Sequence, residues 1–169
     1  ERRRAIITAP ASVRSVGEAV MAADRLLETA KAQADAQVSE RNAREKAELM
    51  RQLGMDEGES ATKASRTMIR QLEEDQKRRS KRALTDAIDR ALIDLLAIYR
   101  DVLMVQVGGD GELINTDLSD LVHEIAQDST PRQTLARVDH IETARKRLVS
   151  NGNPLLVLED MAISLRPQA

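Results

Sequence analysis

The stretch SNGNPLLVLEDMAISLRP, residues 150–167, contains a stop, a restart and then an apolar run. Asn151-Gly152 reads as a helix C-terminus, because Asn and Gly tolerate the left-handed conformation that closes a helix. Asn153-Pro154 reads as the next N-terminus, with Asn as cap and Pro in the first helical position. A sharp corner between two helices is predicted. The helix beyond it carries Leu155, Leu156, Val157, Leu158, Met161, Ala162, Ile163 and Leu165, apolar over most of its circumference. One neighbour cannot cover such a helix. It is central in a bundle, or it also meets a partner chain.

Composition points the same way. The 169 residues include no Cys, Trp or Phe and a single Tyr. That length fits one domain, or one domain with an appendage. A core without large aromatics is filled by Leu, Ile, Val, Met and Ala, which suits helix-on-helix packing. Four Pro and seven Gly are too few for an all-β chain and fall at element boundaries. With 26 basic and 28 acidic residues the formal charge is −2, which argues against a large positive field. The lack of Cys excludes disulfides and thiolate metal sites and sits easily with a reducing cytosol. No apolar run approaches the ~20 residues of a membrane span, and there is no signal-peptide segment. The chain opens ERRRAII, without Met, and reads as a piece of a longer protein.

Upstream of the corner, helical spacing starts at Val13, with Ser12 as the cap, and continues through Val16, Val20, Leu26, Leu27 and Ala30. The stripe then thins to Ala34, Val38, Ala43, Ala47, Leu49, Met50 and Leu53. GMDEGES at 54–60 breaks the helix. A second long helix is predicted over about 61–107, thin at Met68, Ile69 and Leu72 and richly apolar from Ala83 to Leu103. Two long helices with a short connection fold back antiparallel. The polar halves, residues 31–83, then form a coiled-coil finger. At ~1.5 Å per residue an arm from Ala30 to Leu53 extends about 36 Å. GGDGE at 108–112 ends the second helix, and Thr116 or Asp117 caps a short third one. Thr130, Pro131 and Gln133 form the capping box of a fourth, whose predicted inner face is Leu135, Val138, Ile141, Ala144 and Leu148. The predicted fold is an all-α bundle of about five helices with the finger inserted.

Few residues invite chemistry. HEIAQ at 123–127 opens like a zinc-protease helix, but the second His is replaced by Gln127, which favours a surface pair of His123 and Glu124. His140 and Glu142 read as solvated. No phosphate-cradling loop is present, and GGDG lacks the length and closing Glu of a calcium loop. KRRSKR at 77–82 could touch phosphates, but an exposed face balanced by Glu73, Glu74 and Asp75 is the plainer reading. Tyr99 falls on an apolar stripe, with its hydroxyl expected to find a partner. No nucleophile, base and orienting group occur together, so no catalytic, cofactor-binding or metal-binding residue is assigned.

IETARKRLVSNGNPLLVLEDMAISL at 141–165 resembles the C-terminal signature of bacterial clamp-loader subunits. RALIDLLAIYRDVLMVQVG at 90–108 is similar to the central helix of that family, and PASVRSVGEAV at 10–20 to the first helix after its ATPase lid. ELINTDLSDLVHEIAQ resembles the delta-prime type within DNA polymerase III, and the inserted finger resembles actinobacterial versions. The resemblance implies a collar domain, in which several subunits pack side by side and hold ATPase modules together for sliding-clamp loading in DNA replication. It implies a non-catalytic piece of a DNA polymerase III holoenzyme subunit, with residues 1–11 as linker from a missing N-terminal module. Residues 12–30 plus 84–169 would be the collar body and 31–83 the finger. Implied partners are the delta and gamma/tau subunits, with sliding clamp and primer-template DNA met only indirectly, no membrane, and a cytoplasmic, nucleoid-associated location. Leu155, Leu156, Leu158, Met161, Ala162, Ile163 and Leu165 are the candidate interface, and Asn151, Gly152, Asn153 and Pro154 the structural corner. The rival readings are a dimeric coiled-coil adaptor, the collar of the related gamma/tau subunit, and a nucleic-acid binder using KRRSKR.

Overall fold

The computed structural model describes residues 13–54, 62–109 and 111–166. The Ser12 cap, the 1–11 linker and most of the GMDEGES connection lie outside these residues. The described residues form five α-helices and no strand: α1 (Val16–Gln52), α2 (Lys63–Gln106), α3 (Ser119–Gln127), α4 (Pro131–Val149) and α5 (Pro154–Ser164). A 3₁₀ turn, Thr116–Leu118, leads into α3. The chain divides into two compact units, Glu1–Ala30 with Ile88–Ala169, and Lys31–Ala87.

The ends of the helices follow local chemistry. α1 begins at Val16 rather than Val13, because Ser15 and Glu18 form the cap. Glu18 N–H donates to Ser15 Oγ at 3.2 Å, and Glu18 Oε2 accepts from the N–H of Arg14 at 2.8 Å. Ser-x-x-Glu at 15–18 is the capping-box signature, and it places the helix start three residues beyond the one expected from Ser12. α2 starts after Thr62, whose Oγ1 accepts from Ser65 N–H at 3.1 Å. It ends at Gly108, which has φ +66°, while Gly109 N–H reaches back to Met104 O at 3.0 Å. Thr116 and Asp117 do not cap α3; they lie inside the 3₁₀ turn, which makes no side-chain cap bond. Thr130 caps α4 with the reciprocal Gln133 bond, and Pro131 opens the helix.

In the first unit, α1 buries Ala19, Ala22, Ala23, Leu26, Leu27 and Ala30, the spacing of one helical face. α2 adds Ile88, Leu92, Leu95, Ile98, Tyr99 and Val102, and Leu118, Val122 and Ile125 come from the 3₁₀ turn and α3. Polar residues tie the elements together. Gln106 donates from Nε2 to Ser129 O at 2.7 Å and accepts at Oε1 from Thr134 Oγ1 at 2.9 Å, joining the end of α2 to both ends of the α3–α4 turn. Its inner face on α4 differs from the predicted one. Thr134 and Arg137 are buried with Ile141, Ala144 and Leu148, whereas Leu135 is 53% exposed and Val138 half-buried. The hydroxyl of Thr134 is needed by Gln106, and the Arg137 guanidinium lies 5.9 Å from the Tyr99 ring centroid, a cation–π placement. The Tyr99 hydroxyl itself has no hydrogen-bond partner among the described residues, contrary to expectation. Burial pushes its pKa up to about 12, against the opposing Arg137 charge.

The second unit is an antiparallel helical hairpin. Its seam does not run through Ala43, Ala47 and Met68, which are exposed. It runs through Ala34, Val38, Asn42, Glu45 and Leu49 of α1 against Ile69, Leu72, Gln76, Arg79 and Ala83 of α2, with mixed three- and four-residue steps. Ala34, Val38 and Ala83 make a small apolar cluster with Leu84. The middle layer is polar. Arg79 Nη1 donates to Asn42 Oδ1 at 2.7 Å and Glu45 Oε2 at 2.9 Å, and Gln76 Nε2 donates to Asn42 O at 2.9 Å. Such a layer sets register at some cost in stability. The Arg79 bond, then the Arg41 bond, lower the Glu45 pKa from 4.5 to about 2. The pairing therefore supports the hairpin above about pH 4.5 and is lost as pH falls through about 2.

Each unit has its own core, and the hairpin's is thin. A chain in which a short loop joins Ala30 directly to Ile88 is expected to keep a single cooperative melt by circular dichroism. A non-cooperative or unfolded product would mean that the hairpin completes the first unit's core.

Candidate assembly surface

The corner that the opening stretch predicted is built from four residues. Asn151 takes the left-handed conformation, φ +63°. Its N–H donates to Leu148 O at 3.2 Å, and Gly152 N–H donates to Arg147 O at 2.8 Å, the two bonds that close a helix in a Schellman motif. Gly152 is needed for space rather than for its φ. A Cβ there would lie 2.8 Å from Arg147 O and 2.9 Å from Val157 Cγ2. Asn153 Oδ1 then accepts from Leu155 N–H at 3.0 Å, and Pro154 begins α5.

The corner fixes the rotation of α5. Val157, Leu158, Met161, Ala162 and Leu165 fall within one arc and are buried. Four of the seven candidate interface residues, Leu158, Met161, Ala162 and Leu165, are therefore part of the unit's own core. Leu156, 63% exposed, and Ile163, half-buried, stand seven residues apart on the opposite side, with Leu155 half-buried at the edge. A separation of seven residues returns to the same helical face. Asp160 lies beside them, ion-paired to Arg147 of α4. Val149, 78% exposed, and Leu135 present further apolar side chains on α4. Arg145 is held in place by a two-pronged bond to Asp89, 2.7 and 3.3 Å, and by Glu142 at 3.1 Å.

Asp101 was not singled out by sequence. It is fully buried in α2, three residues beyond Ile98 on the core stripe. Its carboxylate accepts from Asn115 N–H at 2.8 Å, Asn115 Nδ2 at 2.9 Å, Ile114 N–H at 3.1 Å and Arg100 Nη1 at 2.8 Å. Burial by itself would raise its pKa. The Asn115 N–H, then Arg100, Ile114 and the Asn115 amide, outweigh it, and the carboxyl titrates below its ordinary value. This cluster anchors the entry to α3, and an Asp on an otherwise apolar stripe was the signal for it.

The other candidate residues stay apart. His123, Glu124, Gln127 and His140 are exposed, and His123 Nδ1 lies 2.8 Å from Ser119 O within its own helix. Among the described residues no group of three or more His, Cys, Asp or Glu could hold a metal ion. No described helix is long and apolar enough to cross a membrane.

An all-α unit closed by a capped corner and a short apolar helix defines a helical packing domain. The chain belongs to the family described as DNA polymerase III, delta subunit, C terminal, which it matches over residues 59–166. It is similar to the DNA polymerase III subunit delta' of Bacillus subtilis (strain 168), 36% identical over 72 residues. That match covers 43% of this chain and 22% of the relative, so the chain spans a small part of that protein's length. No solved structure matches it.

Proposed function

We propose that this chain is the collar of a delta-prime-type clamp-loader subunit. In this reading it is non-catalytic, and it serves DNA replication by holding the loader's ATPase modules together for sliding-clamp loading. Its first unit is the collar body and its hairpin the finger, and its partners are the delta and gamma/tau subunits, in the cytoplasm. One observation carries the reading beyond the family match. On the helix that closes the family's C-terminal segment, Leu156 is 63% exposed and shares its outer face with Ile163, while the same helix fills the core from its other side. An exposed apolar strip on a small domain marks a partner site.

Leu156→Asp is expected to leave the melting temperature within about 2 °C, since an exposed position contributes within about 0.5 kcal/mol. It should weaken capture of delta and gamma/tau at least about tenfold, the scale of one interface anchor. Normal capture by a normally folded variant would remove this face from the interface.

A further inference from the structure

The basic run at 77–82 is one end of a longer feature. Within the hairpin, α2 turns Ile69, Leu72, Gln76, Arg79 and Ala83 toward α1. At about 100° per residue, Lys63 and Arg70 face away from this seam, with Arg66 to one side of them. Further along the same arc come Lys77, Arg78, Lys81 and Arg82, and all seven cations are exposed. Glu74 is the one carboxylate in that arc, and it is paired with Arg70 at 3.3 Å. Glu73 and Asp75 lie on its flanks, paired with Lys46 and Arg78. Arg79, the central member of the basic run, is drawn into the seam by Glu45 and Asn42 and leaves the stripe to its neighbours. The stripe extends from Lys63 to Arg82, about 28 Å. Glu74 and Asp75 thus pair with two of the stripe's own cations, Arg70 and Arg78, while Glu73 pairs off the stripe, and the seven cations remain in excess over the three carboxylates around them.

We infer that this stripe binds the phosphate backbone of duplex nucleic acid without reading its sequence. A broad band of Lys and Arg along the outer side of a helix matches a linear polyanion, and backbone binding requires little else. The arc holds no aromatic side chain on which an unpaired base could stack. It holds no large apolar side chain between Lys63 and Arg82, as insertion into a lipid surface or docking of an amphipathic peptide would need. The inference rests on the charge of the hairpin alone and stands or falls separately from the assembly reading.

The test is fluorescence anisotropy of a labelled duplex of about 30 base pairs with the 169-residue chain. If about five phosphates are neutralised, affinity should fall roughly a hundredfold between about 50 and about 150 mM salt. The triple variant Lys77→Glu, Lys81→Glu, Arg82→Glu should lose binding at least about tenfold. A control of equal charge change in the first unit, Arg90→Glu, Arg132→Glu, Lys146→Glu, should stay within about twofold. Lys77→Gln and Arg82→Gln, which perturb folding least, should each reduce the salt slope by about 1. No binding at low salt, equal loss in the two triple variants, or displacement by poly-glutamate as effective as by unlabelled duplex would each overturn the inference.

Discussion

Leu158→Asp is expected to unfold the first unit. Leu158 has no exposed surface and lies at the centre of the buried arc of α5. Truncating a core Leu costs about 2–5 kcal/mol in lost transfer and cavity energy. Asp adds a carboxyl group that must stay unpaired or protonated in an apolar site, a further penalty of several kcal/mol. Together these approach the roughly 5–15 kcal/mol that stabilises an ordinary domain. Circular dichroism should show the loss of the cooperative transition of this unit, and amide exchange should show its helices unprotected. The contrast with Leu156→Asp, two residues away, is the informative part. If Leu158→Asp melts like the parent, α5 is not seated as described, and its rotation about the corner is wrong.

Asp101→Ala is the second large effect, expected to cost about 3–4 kcal/mol. The variant leaves the N–H of Asn115 and its side-chain amide without their acceptor in a buried site, and each orphaned donor costs about 1–3 kcal/mol. Asp101→Asn retains one oxygen and the shape, and should lose roughly half as much. The pH dependence separates the carboxylate from mere packing. The folded carboxyl titrates below its ordinary 3.8, so its contribution is present above that value and is lost as pH falls through the lower folded one. The parent should therefore lose stability in acid more steeply than Asp101→Asn, measured by denaturant unfolding at a series of pH values. Parallel acid profiles for the two proteins would show that the charge contributes nothing.

Helix ends were legible from sequence wherever they rest on local chemistry. Thr130-Pro131-x-Gln133 and Asn153-Pro154 announce starts, and Asn151 announces a stop, because capping bonds join residues two to five apart and depend on nothing distant. The same locality makes Ser15-x-x-Glu18 readable as a capping box three residues beyond Ser12. The helical periodicity of α1 and α2 fixed the class of fold for a similar reason, since a repeat near 3.6 residues is a property of one segment.

Facing residues are a different matter. Leu135 and Val138 have the composition of a core face, yet Leu135 points outward and Val138 is only half-buried, while Thr134 and Arg137 are buried. What turned α4 was Gln106 and Tyr99, some 30 to 40 positions away in sequence, and no window along α4 contains them. The hairpin seam likewise passes through Asn42, Glu45, Gln76 and Arg79 and leaves Ala43 and Ala47 in solvent. A polar side chain can occupy a seam when its partner arrives from the other helix, and hydropathy cannot see that partner. The sequence by itself determined that this protein is a set of capped helices with a long hairpin and an over-apolar last helix. Only the tertiary structure decided that Leu158 is core and Leu156 is surface, because those two roles differ by the direction of a side chain, and direction is set by what packs against the helix.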